Sequence, residues 1–81
     1  MKITGRQIRM ARAYLHWTVD DLAGETGLQW ARIQQLEKLD SFEKSHLEKI
    51  DTIKRVLEKK GIEFIDENHT HYGTVRMKKK L

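Results

Sequence analysis

Residues 18–37 read TVDDLAGETGLQWARIQQLE. Thr18 is a good N-cap, and Asp20 and Asp21 fall in the first turn that follows it, where a helix dipole favours carboxylates. Val19, Leu22, Ala23 and Thr26 recur on one face of that helix. Gly27 supplies the left-handed residue on which a helix ends, and Leu28 then drops into the core. A second amphipathic stretch begins at once. Its buried side carries Ile33 and Leu36, and Ala31, Gln34, Gln35 and Lys38 project away from them, with Arg32 on one flank. A capped amphipathic helix, a glycine turn and a second amphipathic helix make a helix-turn-helix, a unit that holds its second helix out on a surface, in a form that fits the major groove of DNA. Glu37 lies only about 40° from Ile33 around the helix. A carboxylate so close to a core needs a cationic partner, and Arg12 is the best placed.

The rest of the chain is read outward from this unit. Upstream, Thr4 and Gln7 have capping-box spacing, and Ile8, Ala11 and Leu15 form an i, i+3, i+7 stripe. The spacing predicts a helix over residues 5–15, with Trp17 in the link to the next. The recognition helix is expected over residues 29–39 and a loop over 40–44. Ser45 and Glu48 then read as a second capping box, opening a helix that runs to about residue 60 on the stripe Leu47, Ile50, Ile53 and Leu57, with Gly61 as its stop. Beyond Gly61 the period becomes two. Ile62 and Phe64 flank Glu63, Val75 and Met77 flank Arg76, and the polar segment 66–73 lies between. This is the pattern of a β-hairpin with a long tip. A lone hairpin is marginal in water and must pack on the helices or on another chain.

Composition narrows the classes. With 81 residues the chain makes one small domain, which buries only roughly 60–65% of its unfolded surface. It contains no cysteine, so a disulfide framework or a zinc–thiolate site is impossible, in keeping with a reducing cytoplasm. No apolar h-region opens the sequence and no run approaches the ~20 residues needed to span a bilayer. A cytoplasmic, non-membrane protein is expected. Lys and Arg number 16 against 12 Asp and Glu, but Arg76, Lys78, Lys79 and Lys80 account for the whole excess. The body is neutral, so a nucleic-acid role rests on where individual side chains project.

Several features also have plain structural readings. His69 and His71 have the spacing of two ligands on a strand but no third ligand, and a solvated loop is the simpler account. His16 and His46 have no catalytic partner in view. The basic end, residues 76–80, reads as a solvated tail or as an arm along a phosphate backbone. Arg6 and Arg9 are equally a solvated flank or phosphate contacts. Asp20 and Asp21 are helix-terminus charges. With no nucleophile pair, phosphate-cradling glycine loop or complete metal set, neither an enzyme nor a cofactor is expected.

On the run Leu22-Ala23, Gly27, Leu28, Ile33, Gln35, Leu36 and Glu37, the chain resembles the phage-repressor and Cro-like helix-turn-helix regulators, also called the xenobiotic-response-element family. The resemblance covers residues 3–61. Arg12 and Glu37 stand where family members often pair an arginine with the glutamate that ends the motif. Leu15-His16-Trp17-Thr18 looks like the leucine/glycine–tryptophan–serine run of many small bacterial members. Gly61-Ile62-Glu63-Phe64-Ile65-Asp66-Glu67-Asn68 looks like the tail of a small subgroup. The resemblance implies a mainly α, four-helix repressor-like DNA-binding domain over residues 1–61, with a C-terminal β-hairpin and basic tail over 62–81. It implies sequence-specific binding of double-stranded DNA in transcriptional regulation. The expected DNA contacts are Thr18, Gln29, Trp30, Ala31, Arg32, Gln35 and Lys38. In that set Gln35 pairs with adenine, Trp30 or Ala31 touches a thymine methyl, and Thr18 with the following amides meets a phosphate. Such proteins commonly dimerise. Here the strand edges and the face of Ile62, Phe64, Val75 and Met77 are the candidate homodimer surface. Members often carry glutamine where Val19 stands and polar residues where Trp30 and Ala31 stand. These three apolar residues point to the alternative, a protein-interaction module (antitoxin-like or anti-repressor) on the same fold.

Overall fold

The computed structural model describes residues 3–66 and 73–77. The chain is mainly helical, with a two-stranded antiparallel hairpin near its C-terminus. The order is α1 (Gly5–Leu15), α2 (Val19–Thr26), α3 (Trp30–Glu37), a 3-10 turn (Lys44–His46), α4 (Leu47–Lys59), β1 (Ile62–Ile65) and β2 (Thr74–Met77). No helix among the described residues is long and apolar enough to cross a membrane.

The local signals explain most of these boundaries. Thr4 caps α1, and Thr4 and Gln7 bond reciprocally as the capping box requires. Thr18 and Asp21 form a second box at α2. Gly27 closes α2 at φ 76°, a left-handed conformation that glycine adopts without steric cost. At the end of α1 the same backbone region is taken by His16, at φ 57°.

Three expectations are corrected. The recognition helix is shorter than its apolar pattern: α3 spans Trp30–Glu37, and Gln29 is its N-cap without a side-chain cap bond. Ser45 does not cap the last helix. Glu43 and His46 form the box there, around the 3-10 turn, so α4 begins only at Leu47. That shift puts Leu47 at the mouth of the helix, 49% exposed, while Ile50, Ile53 and Leu57 carry the buried stripe.

One apolar cluster holds the described chain together. Ile3, Ile8, Ala11, Leu22, Ile33, Leu36, Ile50, Ile53 and Leu57 of the helical part share it with Ile62, Phe64 and Val75 of the hairpin. The division at residue 61 is thus a change of secondary structure within a single core. Strand β1 packs on α4 and β2 on α1. Ile62 lies opposite Met77 and Phe64 opposite Val75. The hairpin's apolar face is therefore turned into the chain's own core, with Met77 partly buried, and this overturns its candidacy as a dimer surface. The reason is the marginal stability of a two-stranded ribbon, which needs a hydrophobic face covered.

Gln7 fixes how the hairpin sits. Its side chain is 1% exposed. The carbonyl Oε1 accepts from the Thr4 amide at 2.9 Å, while Nε2 donates to the carbonyls of Ile65 at 3.1 Å and Thr74 at 2.9 Å. One amide group thereby caps α1 and joins the two strands, leaving none of its polar atoms unpaired in the core.

Gly24 offers a simple stability test. It is exposed within α2, and a Cβ added there meets nothing within 4 Å. Gly24→Ala should stabilise the domain by about 0.5–1 kcal/mol. A thermal melt should move up by several degrees, and an unchanged or lower Tm would mean that α2 is not continuous through this position.

Candidate nucleic-acid interface

The α2–α3 unit is built around the turn Gly27-Leu28-Gln29. The Gly27 amide donates to the Ala23 carbonyl at 2.9 Å, and the Thr26 hydroxyl donates to Leu22 at 2.8 Å and accepts from the Leu28 amide at 3.3 Å. Leu28 packs against the core from the turn. The chain therefore reverses tightly into α3, whose inner side, Ile33 and Leu36, is fully buried.

Two further anchors hold α3 at its C-terminal end. Arg12 grips Glu37 with both branches of its guanidinium, Nε to Oε2 at 2.6 Å and Nη2 to Oε1 at 2.9 Å. Its remaining Nη1 donates to the Trp17 carbonyl at 3.0 Å. Glu37 is buried, as its position beside Ile33 requires. Hydrogen bonding to Glu37 raises the Arg12 guanidinium above its ordinary pKa, against the lowering effect of burial. Arg12 thus remains a cation throughout the physiological range. The second anchor is Gly5. Its amide donates to the Leu39 carbonyl at 2.8 Å, and a Cβ on Gly5 would lie 2.5–2.6 Å from the carbonyl oxygens of Leu36, Glu37 and Leu39. The positive N-terminus of α1 thus abuts the negative C-terminus of α3, a favourable meeting of helix dipoles that only a residue without a side chain permits. Sequence reasoning found the Arg12–Glu37 pair from angular position. It missed Gly5, because close approach of two backbones leaves no local pattern.

The outward side of α3 gathers most of the expected contact residues on one surface. Trp30 is 48% exposed, and Ala31, Gln35 and Lys38 are exposed. Arg32 and Gln34 are half-buried on the flanks. Gln29 is exposed just ahead of the helix. Arg32 leans along this surface, its Nη1 donating to Gln35 Oε1 at 3.0 Å. Since Glu37 faces inward and is neutralised by Arg12, no carboxylate of α3 offsets Arg32 and Lys38 on this face.

The start of α2 is less hospitable to a phosphate. Thr18 is exposed there, but its hydroxyl accepts from the Asp21 amide at 3.1 Å and its own amide donates to Asp21 at 2.9 Å. Asp20 and Asp21 place two carboxylates beside the remaining amides of this turn. Val19, where glutamine is often found in the resembling family, is partly buried and packs against the core. On α1, Arg9 is exposed and Arg6 lies 3.6 Å from Asp40.

Away from α3 there is a surface groove of about 710 Å³ between the 40–47 segment and α4, floored by Ile3, Phe42, Leu47 and Ile50. None of the expected contact residues lines it. Among the described residues no group of three or more His, Cys, Asp or Glu side chains could hold a metal ion. The His69 and His71 pair and the basic residues Lys78, Lys79 and Lys80 lie outside the described residues. No protein-family model, curated protein or solved structure matches this chain.

Proposed function

We propose that the chain binds double-stranded DNA sequence-specifically in transcriptional regulation, with α3 as the helix that enters the major groove. The observation that carries this reading is the outward face of α3. Gln29, Trp30, Ala31, Arg32, Gln35 and Lys38 lie in or beside the outward side of one helix, four of them polar or cationic, and the helix's own carboxylate is turned inward onto Arg12. An α-helix fits the major groove, where Gln and Arg hydrogen-bond base edges and small apolar groups touch the thymine methyl. Lys38, at the end of α3, is suited to a phosphate, which adds affinity without sequence information. Thr18 belongs to the contact set only through the amides at the start of α2, beside which Asp20 and Asp21 weaken its claim. The resemblance to repressor-like regulators supports the same reading, and a cytoplasmic setting follows from it. Such domains commonly bind as pairs, with two helices ~34 Å apart. Because the hairpin's apolar face is buried, any pairing at the hairpin is left to its strand edges.

A salt titration with random duplex DNA tests the proposal. Neutralising three or four phosphates should cost roughly 40- to 150-fold in affinity between 50 and 200 mM salt. Weak binding that does not change with salt would contradict it.

A second reading is favoured by one observation. Trp30 is half exposed at the start of α3, and the neighbouring Ala31 is exposed as well, two apolar residues on the outward side of the helix. A protein-interaction module would use these residues and would leave duplex DNA unbound at any salt.

A further inference from the structure

We infer that Arg32 and Gln35 act as one reading head for guanine, an inference that rests on the DNA-binding reading above. Taken alone, Gln35 pairs best with adenine. Its carbonyl accepts from adenine N6 while its amide nitrogen donates to N7. That pairing needs Gln35 Oε1 to point at the base. In the folded chain Oε1 instead accepts from Arg32 Nη1 at 3.0 Å, across one turn of the outward face of α3. The bond turns the Gln35 carbonyl toward Arg32, one turn back along the helix, and leaves the donors of its NH2 group for a base. Arg32 keeps further N–H donors on its guanidinium fork, which carries no acceptor. The pair therefore presents donors.

Guanine is the base that shows two acceptors, O6 and N7, in the major groove. Adenine shows one donor and one acceptor, cytosine a donor, and thymine an acceptor beside a methyl group. A head made of donors matches guanine and sets its own protons against the adenine N6 group. Neighbouring charge does not change this balance, because α3's carboxylate, Glu37, is buried against Arg12 on the opposite side. Ala31, one turn before Gln35 on the same exposed surface, is small enough to admit a thymine methyl beside the guanine.

The test is a selection from random duplex DNA with the wild type, Arg32→Ala, Gln35→Ala and the double variant. Neither side chain belongs to the buried core, so all four proteins should melt alike. The wild type is expected to enrich guanine at one position of its site. Arg32→Ala frees the Gln35 carbonyl and should move that same position toward adenine. Gln35→Ala should keep guanine with discrimination weakened by roughly 5- to 150-fold, the range for one good base contact. The two single effects should not add in the double variant, as expected of side chains in contact. Adenine enriched by the wild type, or an Arg32→Ala preference that is unchanged or lost entirely, would overturn the guanine head while leaving DNA binding intact. A wild type that enriches nothing and binds without salt dependence would overturn the DNA-binding reading itself, and the head with it.

Discussion

Glu37→Ala should lower the stability of the domain by about 3–5 kcal/mol, because it leaves the Arg12 guanidinium partly buried without its anion. A domain of this size is held by roughly 4–12 kcal/mol in all, so the loss is a large fraction of the total. Arg12 donates to both carboxylate oxygens and to the Trp17 carbonyl, so the pair joins α1, the link before α2, and the end of α3. Urea unfolding followed by circular dichroism measures the effect. Arg12→Leu combined with Glu37→Leu should be less damaging than Glu37→Ala alone, since it removes both charges and leaves chiefly the Trp17 carbonyl unsatisfied. Equal losses in the two variants would mean that charge burial is not what the pair resolves.

Gly5→Ala is the second large effect. Alanine is normally the better helix residue, and a surface glycine such as Gly24 gains from the change. At Gly5 the new methyl carbon would stand 2.5–2.6 Å from three carbonyl oxygens. These are backbone atoms at and just past the end of α3, and they cannot move aside as the tip of a flexible side chain could. The helices must separate, which stretches the 2.8 Å bond from the Gly5 amide to Leu39. Overpacking of this kind costs about 3 kcal/mol, at the upper end of the usual range. A urea midpoint equal to that of the wild type would contradict the close approach. Since the same contact seats the end of α3, the proposed function has Gly5→Ala weaken DNA binding as well.

These two anchors mark how far the sequence was legible. Periodicity and caps are local, so the limits of α1, the cap at Thr18, the Gly27 turn and the hairpin strands could be read directly. Glu37 was legible as well, since its angle from Ile33 forces a buried carboxylate. Gly5 was not, nor was the second role of Gln7 beyond its cap. Gly5 matters because two backbones meet, and Gln7 because its side chain reaches strands 58 and 67 residues away. The start of α4 was misjudged for a different reason. Ser45–Glu48 and Glu43–His46 both have the spacing of a cap, and the 3-10 turn selects the second. The hairpin's apolar face was legible as a face that must be covered, but not as one covered from within.

The candidate site was legible to a similar depth. Helical angle alone placed Ala31, Gln34, Gln35 and Lys38 outward; Ala31, Gln35 and Lys38 are exposed, while Gln34 is half-buried. The bond between Arg32 and Gln35 was not foreseeable, because it depends on which rotamers two surface side chains choose. The crowding of Thr18 by Asp21 was not read: Thr18 was placed at a phosphate, although the capping box that secures the helix occupies amides a phosphate would use.

An NMR titration of the labelled protein with duplex DNA decides whether the outward face of α3 meets the major groove, as proposed. The largest shifts should fall on the amides and side chains of Gln29, Trp30, Ala31, Arg32, Gln35 and Lys38, with α4 nearly silent, and they should fade as salt is raised. Shifts centred instead on α4 or on the groove floored by Phe42 and Leu47, or no shifts at low salt, would contradict the account.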